Sequence, residues 1–178
     1  MNNNLIPAAT VLVLKDSDIG MEVLMVKRSK RPPFENLYVF PGGKIDEHDY
    51  SNNYETHCEN LNDELASAKL GLESGGLGYW IACIRECFEE TGCEVKKIHP
   101  IQSYFPAPGS SESYYHLYLG EINAFDGKKI KGLEKENEDI LVKSFKVDEV
   151  IQMLKEKKII NGLTLVALQW FFLEHYKG

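Results

Sequence analysis

The sequence predicts an α/β protein of one domain, and three observations carry that expectation. Runs of β-branched and apolar residues bounded by turn signals stand near both ends of the chain. Between and after them lie segments whose apolar residues recur at helical spacing. The third observation is size: 178 residues, 43% of them hydrophobic, allow a core that removes about two-thirds of the unfolded chain's surface from water.

The elements follow in order. Ala8 to Leu14 (AATVLVL) reads as a strand, Lys15 to Gly20 as a turn and Glu22 to Val26 as a second strand, together a hairpin. Lys27 to Pro33 is basic and holds two prolines, so regular structure should stop there. Leu37 to Phe40 is strand-like, and Pro41-Gly42-Gly43 should end it in a sharp loop. Composition then shifts to Asn, Glu and Ser over residues 50–77, an insertion with one helix around Leu61, Leu65, Ala68 and Leu70 and a glycine-rich exit. Tyr79 to Glu90 carries Trp80, Ile84, Cys87 and Phe88 on one predicted helix face, with Gly92 placed to stop it.

Gln102 to Ile122 reads as strands around a turn at Pro106 to Gly109, and Ile140 to Phe145 as another strand. Two helices should close the chain. One is Val147 to Lys157, capped by Asp148 with Val150, Ile151 and Leu154 inward; the other is Leu163 to Tyr176, with Leu165, Leu168 and Phe172 inward.

Composition excludes some functions. A net charge of -7 and a pI near 5.3 would repel a phosphate backbone, so nucleic acid is not the expected partner and a phosphate-bearing ligand would need cations or a local basic patch. Neither a secretory signal nor an apolar run approaching the ~20 residues of a membrane span is present, so a cytoplasmic protein without a membrane partner is expected. Cys58, Cys83, Cys87 and Cys93 form no CxxC pair; reduced, partly buried thiols are expected rather than a zinc site.

The chemistry concentrates on Arg85-Glu86-Cys87-Phe88-Glu89-Glu90-Thr91-Gly92-Cys93. Glu86, Glu89 and Glu90 stand at i, i+3 and i+4, so their carboxylates should share one face opposite the apolar stripe. Three like charges so placed repel one another, and hard oxygen donors suit Mg²⁺ or Mn²⁺ better than zinc. A merely solvated acidic face is the ordinary explanation for such a run, but it leaves the Gly42-Gly43 loop and Arg85 without a role.

With these residues the sequence resembles the Nudix hydrolases, whose signature is G-x5-E-x7-R-E-U-x-E-E-x-G-U with U bulky and apolar. Cys87 and Cys93 fill U positions, and Gly43 opens the motif in Phe40-Pro-Gly-Gly-Lys-Ile45. Asp49 stands where the first glutamate belongs, with Asp46 and Glu47 as alternatives. It lies 36 positions before Arg85, an excess of 28 over the signature. A long insertion at this point is similar to the branch that includes peroxisomal CoA diphosphatases. The resemblance implies an α/β/α sandwich with a mixed sheet. It implies Glu86 and Glu90 as metal ligands, Glu89 as a ligand or supporting carboxylate, Arg85 orienting Glu86, and the Gly42 carbonyl on the metal. The inserted residues would be either a lid or substrate wall at the rim or a passive surface excursion.

From Ile101 onward the chain resembles the ADP-ribose pyrophosphatase branch. Ser103 to Glu112 is similar to its proline-glycine loop, Gly132 to Ile140 to its acidic catalytic loop, and Lys158 to Trp170 to its end. That resemblance implies Glu136 as the general base and Glu138 as a further ligand or orienting group, because a base must reach the attacking water from outside the glutamate helix. Gly43, Arg28 and Glu112 are the candidate substrate contacts, Arg28 as a phosphate binder among Lys27, Lys30 and Arg31. Tyr104 and Phe105 would stack on a base or belong to the core, and the five histidines show no metal spacing.

The expected reaction is metal-dependent hydrolysis of a nucleoside diphosphate derivative, ADP-ribose to AMP and ribose 5-phosphate, with CoA or an acyl-CoA as the alternative substrate. A non-catalytic nucleotide sensor is the alternative from another class. Decapping of mRNA would want a basic surface that this composition lacks. The resemblance leaves a homodimer open, although the long N-terminal extension that helps such enzymes pair is not in this sequence.

Overall fold

The computed structural model describes residues 5–18, 20–28, 37–50, 61–125, 130–131 and 140–177. Its first strand, β1 (Ile6–Ser17), is buried from Ala8 to Leu14 on both faces, which explains an unbroken apolar run rather than an alternating one. It turns at once into β2 (Gly20–Arg28), paired antiparallel. The hairpin is longer than the sequence suggested, because Lys15 and Glu22 face each other across it and their ion pair of 2.9 Å keeps the ladder going.

Two short strands follow, β3 (Tyr38–Val39) on β2 and β4 (Gly42–Lys44) on β1. The glycines therefore do not leave the sheet in a loop as expected. Pro41 is tied to β1 by two hydrogen bonds that its carbonyl accepts, from the Val11 N–H and from the Thr10 hydroxyl, both 2.9 Å. After a 3₁₀ turn (Glu47–Tyr50) come α1 (Asp63–Leu70) and α2 (Gly76–Thr91). Then β5 (Lys97–Tyr104), β6 (Ser113–Ile122), β7 (Ile130–Lys131) and β8 (Ile140–Lys146) complete the strands, and α3 (Val147–Lys155) and α4 (Gly162–Trp170) close the chain. A π-helical turn, Phe171–His175, extends α4.

The eight strands among the described residues form one sheet in the order β5-β6-β1-β2-β8-β7, with β3 and β4 attached to β2 and β1. It is mixed, since β1 runs parallel to β6 while its other pairings are antiparallel. Alternate side chains divide the core in two. Ala9, Val11 and Val13 of β1 pack with Trp80, Cys83 and Cys87 of α2 on one face, and Leu12 and Leu14 pack with Val150, Ala167, Leu168 and Phe171 of α3, α4 and the π turn on the other. This is the predicted α/β/α sandwich.

Several local expectations are corrected. The helix expected from Tyr79 starts at Gly76, because partners supplied by α1 hold its first turn. Phe88 is exposed; the buried stripe runs Trp80, Cys83, Cys87 and Thr91, and Phe88 lies about 100° round the helix from Cys87. Leu165 likewise faces outward, while Ala167 and Leu168 take the core positions. Asp148 does not cap α3: Lys146 holds the cap position, and its N–H is taken at 2.9 Å by Glu149. No described helix is long and apolar enough to cross a membrane.

Candidate active site

The glutamate helix is fixed on both sides. Its apolar stripe is pinned to the sheet, where the Trp80 ring meets Tyr118 edge-on with centroids 4.8 Å apart. At its end Gly92 takes φ 70 and donates its N–H to the Phe88 carbonyl at 2.7 Å, the left-handed stop that glycine permits. The carboxylates are thereby held against β4.

They do not share one solvated face. Glu90 is 5% exposed and accepts the Gly42 N–H at 3.3 Å; it stands beside Cys87 and Thr91 at the margin of the buried stripe. Glu86 reaches Gly43 so closely that a Cβ there would collide with the Glu86 carboxylate. A Cβ on Gly42 would strike the Ala9 carbonyl and Thr10. Glycine at both positions lets backbone approach carboxylate and strand more closely than any other residue allows.

Arg85 links the rest. Its Nε and Nη2 donate to the two oxygens of Asp49 at 2.9 Å each, Nη1 donates to Glu86 at 3.1 Å and to Glu89 at 3.0 Å, and Nη2 also reaches the Lys44 carbonyl at 3.3 Å. Burial works against the charge on this guanidinium, but the Asp49 hydrogen bonds and the charges of Glu86, Asp49 and Glu89 outweigh it, and its pKa lies above the ordinary arginine value. One cation thus holds Glu86 and Glu89 in place and offsets their mutual repulsion.

Of the three candidates for the first carboxylate, Asp49 is the one with no exposed surface. It is aimed at Arg85, and its Oδ2 also takes the Asp46 N–H at 2.9 Å. Asp46 is half exposed, 3.5 Å from Arg85, and Glu47 is exposed. Asp49 lies in the 3₁₀ turn, which packs against α2.

The structure thus brings Gly42, Gly43, Arg85, Glu86, Glu89 and Glu90 together, with Asp49 behind them. Glu112 is exposed at the start of β6, where its carbonyl accepts the Ile6 N–H at 3.0 Å, beyond the stretch of β1 that pairs with the glycines. Tyr104 is partly buried, and Phe105 is exposed and packs on Tyr114 at 4.7 Å. Glu136, Glu138 and the Arg28 side chain lie outside the described residues.

Sequence reasoning missed two features nearby. Asp63 and Ser67 of α1 bond the first turn of α2, and His116 is buried beneath Tyr79. Neither has a local signal, because each partner is brought in by tertiary packing.

The family model described as "NUDIX domain" matches residues 5–165. The chain belongs to the NUDIX domain family. It is 38% identical over 92 residues to a protein of Haemophilus influenzae named ADP-ribose pyrophosphatase, a match covering 52% of this chain and 42% of that one. A Bacillus subtilis protein of the same name is 23% identical over 165 residues, covering 92% of this chain and 72% of that one. The chain thus spans less than half the length of the Haemophilus relative. Among solved structures, the NUDIX domain of Shewanella oneidensis NrtR complexed with ADP ribose superposes with a TM-score of 0.54 at 17% identity, over 85% of this chain and 79% of that one. That likeness bears on the fold.

Proposed function

We propose that this NUDIX protein is a pyrophosphohydrolase that cleaves ADP-ribose to AMP and ribose 5-phosphate with the help of a divalent cation, magnesium or manganese. The observation that carries the reading is the meeting of two carboxylates of the signature with the diglycine strand: Glu86 against Gly43, and Glu90 on the Gly42 N–H. The names of the two relatives support the choice of ADP-ribose.

The donors fit a hard cation, since they are carboxylate and backbone oxygens with no thiol or imidazole among them. Among the described residues no three His, Cys, Asp or Glu side chains stand grouped as a ready ligand set. Glu86 and Glu90 would accordingly be completed by the Gly42 carbonyl and by Glu138. When bound, the cation neutralises diphosphate oxygens and lowers the pKa of coordinated water. Arg85 keeps Glu86 and Glu89 oriented, and Asp49 keeps Arg85 in place. Glu136 takes the proton as a water oxygen bonds to one phosphorus and the bond from that phosphorus to the bridging oxygen breaks.

The test is turnover by the purified protein, with Mg²⁺ and with Mn²⁺, of ADP-ribose, CoA, NADH and diadenosine polyphosphates. ADP-ribose should be the preferred substrate, and Glu90→Gln should lose at least about a hundred-fold in turnover with an unchanged melting temperature. Faster cleavage of CoA would overturn the substrate. Tight binding of ADP-ribose without cleavage would make the protein a sensor.

A further inference from the structure

The helix that carries Glu86, Glu89 and Glu90 begins without a side-chain cap of its own. Its sequence opens Gly75-Gly76-Leu77-Gly78, Gly75 sits at φ 79, and no side chain in that run bonds the first N–H groups. A helix start needs such partners. They come from α1, which belongs to the chain excess between Asp49 and Arg85. Asp63 takes the Gly75 N–H on one oxygen at 2.9 Å and the Leu77 N–H on the other at 3.0 Å, and the Ser67 hydroxyl takes the Gly76 N–H at 2.8 Å.

The fit is close. A Cβ at Gly76 would run into the Ser67 backbone, and one at Gly78 would lie 2.6 Å from the Tyr50 ring. Tyr50 follows Asp49 directly, so the residue that grips Arg85 and the residue that leans on Gly78 leave the same turn. The Asp63 carboxylate also places negative charge at the positive end of the α2 dipole. Asp63 is itself set in place by α1, whose own cap is the Asn62 side chain accepting the Leu65 N–H at 2.9 Å.

We propose that α1 is a clamp supplied in place of a local cap, and that Asp63 is a positioning residue for the carboxylates of α2. Glu86 lies nine residues beyond Leu77, about 13 Å along a helix. A loosened or tilted start to α2 is carried along that length to Glu86 and Glu90, which must stay in register with Gly42 and Gly43. The excess chain is therefore neither a lid nor a passive excursion in its second half.

This inference rests on the reading of Glu86 and Glu90 as cation ligands, and one experiment separates the two. Mn²⁺ binding, without substrate, is measured by titration calorimetry on the full chain and on Asp63→Ala, Asp63→Asn, Ser67→Ala, Glu90→Gln and Leu168→Ala. Leu168 is buried on the opposite face of the sheet, so its truncation lowers stability without touching the clamp. Asp63→Ala should weaken Mn²⁺ binding about three-fold or more, below the 10- to 100-fold typical of groups that bond a ligand directly. Asp63→Asn, which turns one acceptor into a donor, should fall between Asp63→Ala and the unaltered chain. Leu168→Ala should melt earlier and bind Mn²⁺ as the unaltered chain does.

Unchanged affinity in both Asp63 variants and in Ser67→Ala overturns the clamp while Glu90→Gln still loses Mn²⁺, and so does a loss in Leu168→Ala equal to that in Asp63→Ala. If Glu90→Gln binds Mn²⁺ normally, the cation reading itself fails and the clamp has nothing to position.

Discussion

Arg85 and Asp49 stand 36 residues apart in sequence yet meet side-on, Nε and Nη2 of the guanidinium each 2.9 Å from its own carboxylate oxygen. Asp49 has no exposed surface, so the charge would be costly there without this partner. Asp49→Asn takes from Arg85 the carboxylate it grips with two nitrogens, leaves it Glu86 and Glu89, and should cost about 2 kcal/mol of stability by urea denaturation. Arg85→Lys keeps a positive charge but cannot fork onto two oxygens while also bonding Glu86 and Glu89. It should fold and lose about ten-fold or more in turnover with little change in KM. A loss confined to KM would place Arg85 on the substrate rather than on the glutamates.

The two glycines should respond differently to the same methyl group. At Gly43 the obstacle is the far end of a flexible side chain, Glu86, so Gly43→Ala can fold by turning that carboxylate aside. At Gly42 the obstacle is the Ala9 carbonyl and the Thr10 backbone, which cannot move without parting β4 from β1. Gly43→Ala should therefore keep a near-normal melting temperature and lose most of its turnover. Gly42→Ala should lose stability first, by roughly 2 kcal/mol or more, as expected of strain at a special backbone position. Equal melting temperatures for the two variants would contradict this division.

Much of this was legible in the residues. The hairpin, the α2 stripe at Trp80, Ile84 and Cys87 though not Phe88, and the stop at Gly92 follow from local pattern, and the spacing of Glu86, Glu89 and Glu90 places them near one another. What was not legible depends on distant partners. Glu90 reads as one of three equivalent carboxylates, and its place beside Cys87 and Thr91, with Gly42 drawn up to it, makes it the buried one. Asp49 looks too short and too far from Arg85 because a spacing rule cannot foresee that the residues after it bring α2 back against the turn that holds it. The start of α2 was misplaced because its glycines signal a loop, and the groups that make them helical lie in α1.

The thiols give a simple chemical check. Cys83, Cys87 and Cys93 are buried. Burial pushes the Cys83 thiol well up, and it takes Cys87 up to about 12 despite the hydrogen bond with Thr91 that favours its thiolate. Since the thiolate is the reactive form, a Cys58→Ser variant should show no fast-reacting thiol toward Ellman's reagent at pH 8 in its native state. All three should react after denaturation. A fast native thiol would mean that α2 lifts from the sheet on the time scale of the assay.

His116 supplies a pH dependence whose sign can be worked out. Its ring is 1% exposed, lies edge-on to Tyr79 and Tyr114, bonds Ser103 through Nδ1 at 2.6 Å and finds no hydrogen-bond partner for Nε2 among the described residues. Burial lowers its pKa from 6.5 to about 4. Above pH 6.5 the ring is neutral in both folded and unfolded chains, and its full contribution to stability is present. As the pH falls from 6.5 toward 4 the unfolded chain takes up a proton that the folded one refuses, so stability is lost across that window, by up to about 1.4 kcal/mol per pH unit. His116→Phe removes this one proton while leaving the surface carboxylates as they are. Urea denaturation at pH 7, 6, 5 and 4.5 should therefore show a shallower decline for His116→Phe than for the unaltered chain, the two curves separating below pH 6.5. Parallel curves would mean that water reaches His116 and charges it in the folded state.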